Sequence, residues 1–200
     1  SLEAAFVDIG ADKNAFLHYQ DMLPGADELV GHLNNQDSDS VVAKRITGKG
    51  GARARALREF VSGLEGRKLK AEDIPEFFRP GMEILVEVVK TPSGSKGCRV
   101  TTNLSIPGRY LVLLPYSEHI GLSTKIEGAQ ERDRLKKILA SLELPEGMGL
   151  ICRTVGEGRK SIFFKNDLEL LLDYWKKVEE AIESGKCPIP VYKEPTLIER

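Results

Sequence analysis

The sequence predicts an α+β fold in two parts, a small incomplete β-barrel followed by an α/β half. Short apolar segments separated by polar turns fill the stretches 2–19 and 83–104, which is the pattern of a small β unit. From Tyr110 onward, strand-like runs alternate with segments of helical periodicity. Two hundred residues, 41% hydrophobic and 30% charged, suit one large domain or two small ones with a buried core. With 29 basic and 30 acidic residues the net charge is −1, which excludes a wholesale polycation. Any nucleic-acid surface must therefore be a local patch.

The elements are taken in chain order. Leu2 to Gly10 reads as a strand ending at a glycine turn, and Ala15 to Tyr19 as a second strand after the polar turn 11–14. The stretch 36–80 differs in character. Between 44 and 58 it carries six basic side chains (Lys44, Arg45, Lys49, Arg53, Arg55 and Arg58) and no acid. It reads as a basic insertion inside a β domain, either a helical arm or a mobile loop. Strand character returns at Glu83 to Val89 and, after the Pro- and Gly-containing turn 91–97, at Arg99 to Leu104. These four strands suggest a small barrel short of one strand.

Beyond them, Tyr110 to Leu114 reads as a buried strand, and Ile126 closes a further extended stretch. Gln130 to Glu143 has helical spacing, with Leu135, Ile138, Leu139 and Leu142 on one face. Gly149 to Thr154 is a strand that enters a Gly-rich turn. Asn166 is expected to cap a second helix, with Glu169 completing a capping box. That helix carries Leu168, Leu171, Leu172, Trp175, Val178 and Ile182 on its apolar face and ends at Gly185.

Cys98, Cys152 and Cys187 are odd in number, widely spaced and without a CxxC pair. A disulfide framework or zinc knuckle is not expected, and the thiols suit a reducing, cytoplasmic setting. No apolar run approaches the roughly 18 residues a membrane helix needs.

Several stretches together resemble the ribonuclease E/G family of bacterial endoribonucleases. They are AAFVDIG (4–10), AFLHY (15–19), GMEILVEVVK (81–90), VTTNLSIPGRYLVLLP (100–115), LSTKIEG (122–128), LPEGMGLICRTVGEG (144–158) and LELLLDYWKKVEEA (168–181). The resemblance implies an incomplete OB-type S1 β-barrel over 1–105, lacking its first strand and holding the basic insertion at about 36–80. An α/β RNase H-like subdomain over 106–187 would host a sensor for 5′-monophosphorylated RNA ends. Residues 188–200 would lead towards a DNase I-like subdomain that carries the catalytic Mg²⁺ aspartates. The chain is thus expected to be a portion of a longer, single-strand-specific endoribonuclease of RNA processing and decay. In the intact enzyme the resemblance implies Mg²⁺ and homo-oligomers. The portion itself is expected to be inactive and to hold no metal.

The resemblance also assigns residues. Phe6 and Phe16 match the RNA-stacking phenylalanines of the S1 surface, and Lys96 matches a basic contact. From the residues alone, both Phe side chains read first as core. Arg153 and Thr154 match the groups that grip a terminal phosphate, with Gly108 and Val112 lining the site. A guanidinium suits that task because its planar fork engages two phosphate oxygens. Without the resemblance, Arg153 is equally a solvated arginine at a strand end. Thr124 and Lys125 stand where the pattern expects an arginine, so positive charge there is a point charge rather than a fork.

No independent catalytic constellation is evident. The strand at Tyr110 to Leu114 carries no acid, and Asp133, Glu143, Asp167 and Asp173 fall on expected helices as solvated side chains. His18, His32 and His119 are scattered. Two other readings stand beside this one. The first is a non-catalytic S1-type RNA-binding module of translation or ribosome assembly. The second is a structural element whose α/β half packs against a partner. An end pocket at Gly108, Arg153 and Thr154 would discriminate against both.

Overall fold

The computed structural model describes residues 3–22, 75, 79–94, 96–117, 119–184 and 187–193. The basic run 44–58, and almost all of the 36–80 insertion, lie outside the described residues. The chain divides into two compact units, residues 1–103 with 178–200 and residues 104–177.

The first unit is built on a four-stranded sheet in the order β1-β2-β4-β3. Its strands are β1 (Ala4–Val7), β2 (Ala15–His18), β3 (Glu87–Lys90) and β4 (Arg99–Thr101). β1 and β2 form an antiparallel hairpin, β2 and β4 are parallel, and β3 and β4 are antiparallel. A one-turn helix α1 (Tyr19–Met22) follows β2 directly. Strand alternation decides which side chains enter the core. Ala15 and Leu17 of β2 are buried with Met22, Cys98 and Val100, and Ala5, Val7, Ile9, Ile84 and Val86 pack around them. The expected strand from Glu83 is shorter than its apolar pattern, because Ile84 and Val86 fill the core without joining the ladder. Glycine at 97 is required by a close approach, since a Cβ there would lie 2.2 Å from the Asn14 carbonyl oxygen. The four strands form an α+β half-structure, and no closed barrel is present among the described residues.

The second unit holds a four-stranded sheet in the order β5-β6-β8-β7 and two helices. Its strands are β5 (Ile106–Pro107), β6 (Leu111–Leu114), β7 (Ile120–Leu122) and β8 (Gly149–Cys152). β6 is antiparallel to both β5 and β8, whereas β7 and β8 are parallel. A parallel pair needs a crossover, and α2 (Ala129–Ala140) supplies it. Leu111, Leu113, Leu150 and Cys152 face the core with Leu135 and Leu139 of α2. Val112 and Ile151 pair on the opposite, half-buried face.

Three boundaries differ from the sequence expectation. α2 ends at Ala140, because the Ser141 amide and hydroxyl take the last carbonyls, with Oγ donating to the Ile138 oxygen at 2.7 Å. Ile126 is 1% exposed but sits in a turn, not at a strand end. The last helix, α3 (Ser161–Ser184), starts five residues before the expected Asn166 cap, so Asn166 is a helical residue. The buried stripe of Leu168, Leu171, Trp175 and Val178 continues back to Phe164, which is fully buried. Packing of that aromatic ring outweighs the local capping preference of Asn166.

Candidate functional site

On the first unit, the β1–β2 register places Phe6 opposite Phe16. Both lie on the face away from Ala15 and Leu17, so neither is a core residue. Phe6 is 64% exposed and Phe16 is half-buried. Their rings meet edge to face at 6.0 Å and 72°, and Phe16 is followed by His18 at 6.3 Å and His18 by Tyr19 at 4.7 Å. The result is a row of aromatic rings, Phe6 exposed and the other three half-buried. Arg99, the register partner of Phe16, adds a guanidinium paired to Asp21 at 2.7 Å. Lys96 is exposed in the tight turn that pairs with Ser93, just ahead of β4. Lys13 steadies that turn by donating to the Gly94 carbonyl at 3.1 Å.

On the second unit, strand direction gathers the other predicted residues. β7 and β8 run parallel, so the residues that follow them, Ser123 and Arg153, emerge at the same end of the sheet. β6 runs the opposite way and begins at that end, which brings the Gly108–Leu111 segment there too. Backbone bonds tie the three together. The Arg153 N–H donates to the Tyr110 carbonyl at 2.8 Å, and the Ser123 N–H donates to the Cys152 carbonyl at 2.8 Å. The Arg153 guanidinium donates through Nη1 to the Gly108 carbonyl. Gly108, Thr124, Lys125, Arg153 and Thr154 therefore belong to one end of the sheet, and Val112 lies one register step inside it.

Of the five N–H donors that a guanidinium carries, Arg153 commits only its Nη1 group to a protein acceptor among the described residues. Thr154 opens a single 3-10 turn, Thr154–Gly156. Its hydroxyl and its backbone N–H have no partner among the described residues. Thr124 and Lys125 are exposed. Their turn is held by Arg132, whose Nη1 donates to the Ile126 carbonyl at 2.9 Å and to the Ser123 carbonyl at 3.3 Å. Arg109 is exposed, with its guanidinium 5.4 Å from the centre of the Tyr110 ring. Uncommitted donors and cationic side chains thus accumulate where oriented strands end, an arrangement that favours an anion.

Sequence reasoning missed two supports of this end. The first is Asp167, expected to be solvated but in fact 8% exposed. Its Oδ1 accepts from the Arg109 N–H at 3.0 Å, and its Oδ2 accepts from the Tyr110 and Leu111 N–H groups at 2.8 Å each. Buried carboxylates persist when their lone pairs are satisfied in this way. A signal existed: Asp167 stands three residues after Phe164 and four before Leu171, on the buried stripe.

The second support is the Glu131–Arg134 pair on α2. Glu131 receives Arg134 Nη2 at 2.6 Å and Nε at 2.7 Å, and it also accepts the Gly158 N–H at 2.9 Å. The Arg134 hydrogen bonds, followed by the Gly158 N–H, pull the Glu131 carboxyl from its ordinary 4.5 to about 2. Stabilisation from a depressed carboxyl is full above the unfolded value and fades as pH falls through the folded value. Glu131→Gln is therefore expected to lower Tm relative to the parent at pH 6, with the gap closing between pH 4.5 and 2. Thermal melts across that range measure it, and a gap that widens towards acid would contradict the assignment. Beneath the same turn, burial and then the Glu131 charge push the Cys152 thiol up to about 11, so it packs as a protonated, inert group.

Among the described residues no group of three or more His, Cys, Asp or Glu side chains is arranged to hold a metal ion. Among them, no helix is long and apolar enough to cross a membrane.

Comparison with known proteins follows the same outline. The Ribonuclease E/G family model matches residues 105–200. Ribonuclease G of Escherichia coli is 35% identical over 199 residues, covering 100% of this chain and 34% of the relative. Ribonuclease E of Escherichia coli is 35% identical over 201 residues, covering 100% of this chain and 16% of the relative. Ribonuclease E of a Nostoc species is 39% identical over 133 residues, 66% of this chain and 19% of the relative. The chain thus spans about a third of the ribonuclease G that it matches.

Proposed function

Because the chain belongs to the ribonuclease E/G family, we propose that it is the RNA-holding, 5′-monophosphate-sensing portion of a single-strand-specific endoribonuclease. In this reading the first unit is an S1 domain of OB type and the second an RNase H-like subdomain. Phe6 and Phe16 stack bases, and Lys96 follows the phosphates. Arg153 grips a terminal monophosphate, with Thr154 donating its hydroxyl and N–H. Gly108 and Val112 line the cup, and Thr124 and Lys125 add charge at its rim. Magnesium, homo-oligomers and a cytoplasmic site of RNA processing and decay are part of the same proposal for the whole enzyme.

One observation carries the reading. Among the described residues, Arg153 keeps uncommitted donors next in sequence to Thr154, whose hydroxyl and N–H have no partner there, at a sheet end that also gathers Gly108 and Lys125. A terminal phosphate monoester has three oxygens that accept such donors, whereas a 5′-hydroxyl offers one neutral group. The portion acts by orienting the strand, which lowers the entropic cost of a reaction carried out elsewhere in the enzyme. The relatives are ribonucleases by name, which does not favour a module of translation or ribosome assembly.

Fluorescence anisotropy with one labelled single-stranded oligonucleotide, prepared with a 5′-monophosphate or a 5′-hydroxyl, tests the proposal. The monophosphate form is expected to bind roughly tenfold more tightly, the scale of one or two charge-assisted hydrogen bonds. Equal affinity for the two ends would remove the sensing function.

A further inference from the structure

We propose that Asp167 is the positioning residue of the phosphate cup, setting the Gly108–Arg109 peptide so that Arg153 is held in its gripping pose. The inference rests on the sensing function above and extends it to a residue that touches no RNA.

The argument turns on a single peptide plane. The Gly108 carbonyl and the Arg109 N–H belong to the same rigid amide and point in opposite directions when the bond is trans. Arg153 donates to the carbonyl end. Asp167 Oδ1 accepts from the N–H end at 3.0 Å. The amide is thus clamped from both sides, by a guanidinium and a carboxylate that do not contact each other directly. Bonds in such a chain polarise one another, and each strengthens its neighbour. Oδ2 takes the next two N–H groups, of Tyr110 and Leu111, at 2.8 Å each. Three successive amides therefore converge on one buried carboxylate, which fixes the direction of the entry into β6.

Glycine at 108 has its reason here. A Cβ at that position would lie 2.6 Å from Asp167 Oδ2 and 2.9 Å from Cγ. The space that a side chain would fill is already occupied by the carboxylate. The Gly108 N–H is likewise engaged, donating to the Leu111 carbonyl at 2.8 Å. The part of Gly108 left to the cup is the carbonyl that orients Arg153. A carboxylate with a purely architectural role would satisfy the three amides equally well. The proposal adds that the plane it fixes determines where the guanidinium points.

Asp167→Asn keeps the size of the side chain, but its amide NH₂ cannot accept a backbone N–H. The variant is expected to lose most of the monophosphate-over-hydroxyl preference, roughly tenfold, with affinity for the 5′-hydroxyl RNA unchanged and circular dichroism unchanged. Hydrogen exchange at Arg109, Tyr110 and Leu111 is expected to accelerate in parallel. If the parent chain discriminates the ends, Arg153→Ala abolishes that discrimination and Asp167→Asn retains it, the positioning role is overturned while the sensing function stands. If the parent chain shows no discrimination, the sensing function fails and the positioning role falls with it. Should Asp167→Asn not fold, Gly108→Ala displaces the same carboxylate from the other side. A folded Gly108→Ala that keeps full end discrimination overturns the proposal.

Discussion

Arg153→Ala lowers affinity for 5′-monophosphorylated single-stranded RNA by roughly tenfold, the whole of the end preference and the cost of losing charged hydrogen bonds. The 5′-hydroxyl RNA, which offers the guanidinium no anion, is expected to bind as before. The side chain is half-buried and, among the described residues, holds one protein acceptor, the Gly108 carbonyl, so removing it deprives that oxygen of a donor without opening the core. Arg153→Lys is the informative companion. Lysine restores the charge but not the planar fork, and it cannot bridge the Gly108 carbonyl and a phosphate in one plane. Intermediate affinity, with reduced discrimination, is the expected outcome. Titrations of both RNA forms against both variants measure it, and an equal loss for the two ends would mean that Arg153 supports general RNA binding.

Phe6→Ala weakens both RNA forms by the same factor, roughly 5–150-fold, because each stacked base contributes about 1–3 kcal/mol. The equality is the substance of the prediction. A platform that holds the body of the strand is indifferent to the group at its tip. Phe6 is also a clean site for the experiment. It is 64% exposed and meets Phe16 only at the ring edge, so its loss leaves no cavity and Tm should hold. Phe16→Ala is expected to follow the same pattern with some loss of stability, because Phe16 is half-buried between Phe6 and His18. A Phe6→Ala chain with unaltered RNA affinity would return that ring to the status of a solvent-facing hydrophobe.

Much of this arrangement was legible before any coordinates. Leu2–Gly10 and Ala15–Tyr19 read as two strands, and the observed Ala4–Val7 and Ala15–His18 lie within them; their register came from the structure. The apolar stripes of α2 and α3 were equally plain. The face that carries Phe6 and Phe16 was only half legible. Phe6 and Phe16 could be named, but their direction could not. A single β-strand pattern does not say which side meets the core until the neighbouring Ala15 and Leu17 are seen buried. The start of α3 was misplaced for a related reason. Asn166 has the local preference of a cap, yet Phe164 gains more from packing against its neighbours than the chain loses at that position.

The sequence by itself determined the family, the candidate residues of the proposed cup and the apolar patterns behind each element, because those properties are local or carried in matched stretches. Tertiary structure alone decided that Gly108, Lys125, Arg153 and Thr154 meet at one end of a sheet, since strand direction in β6, β7 and β8 is a property of pairing. It alone decided that Asp167 is buried, because a carboxylate on a helix is solvated unless donors from a distant segment arrive to satisfy it, and the three amides of 109–111 are that segment.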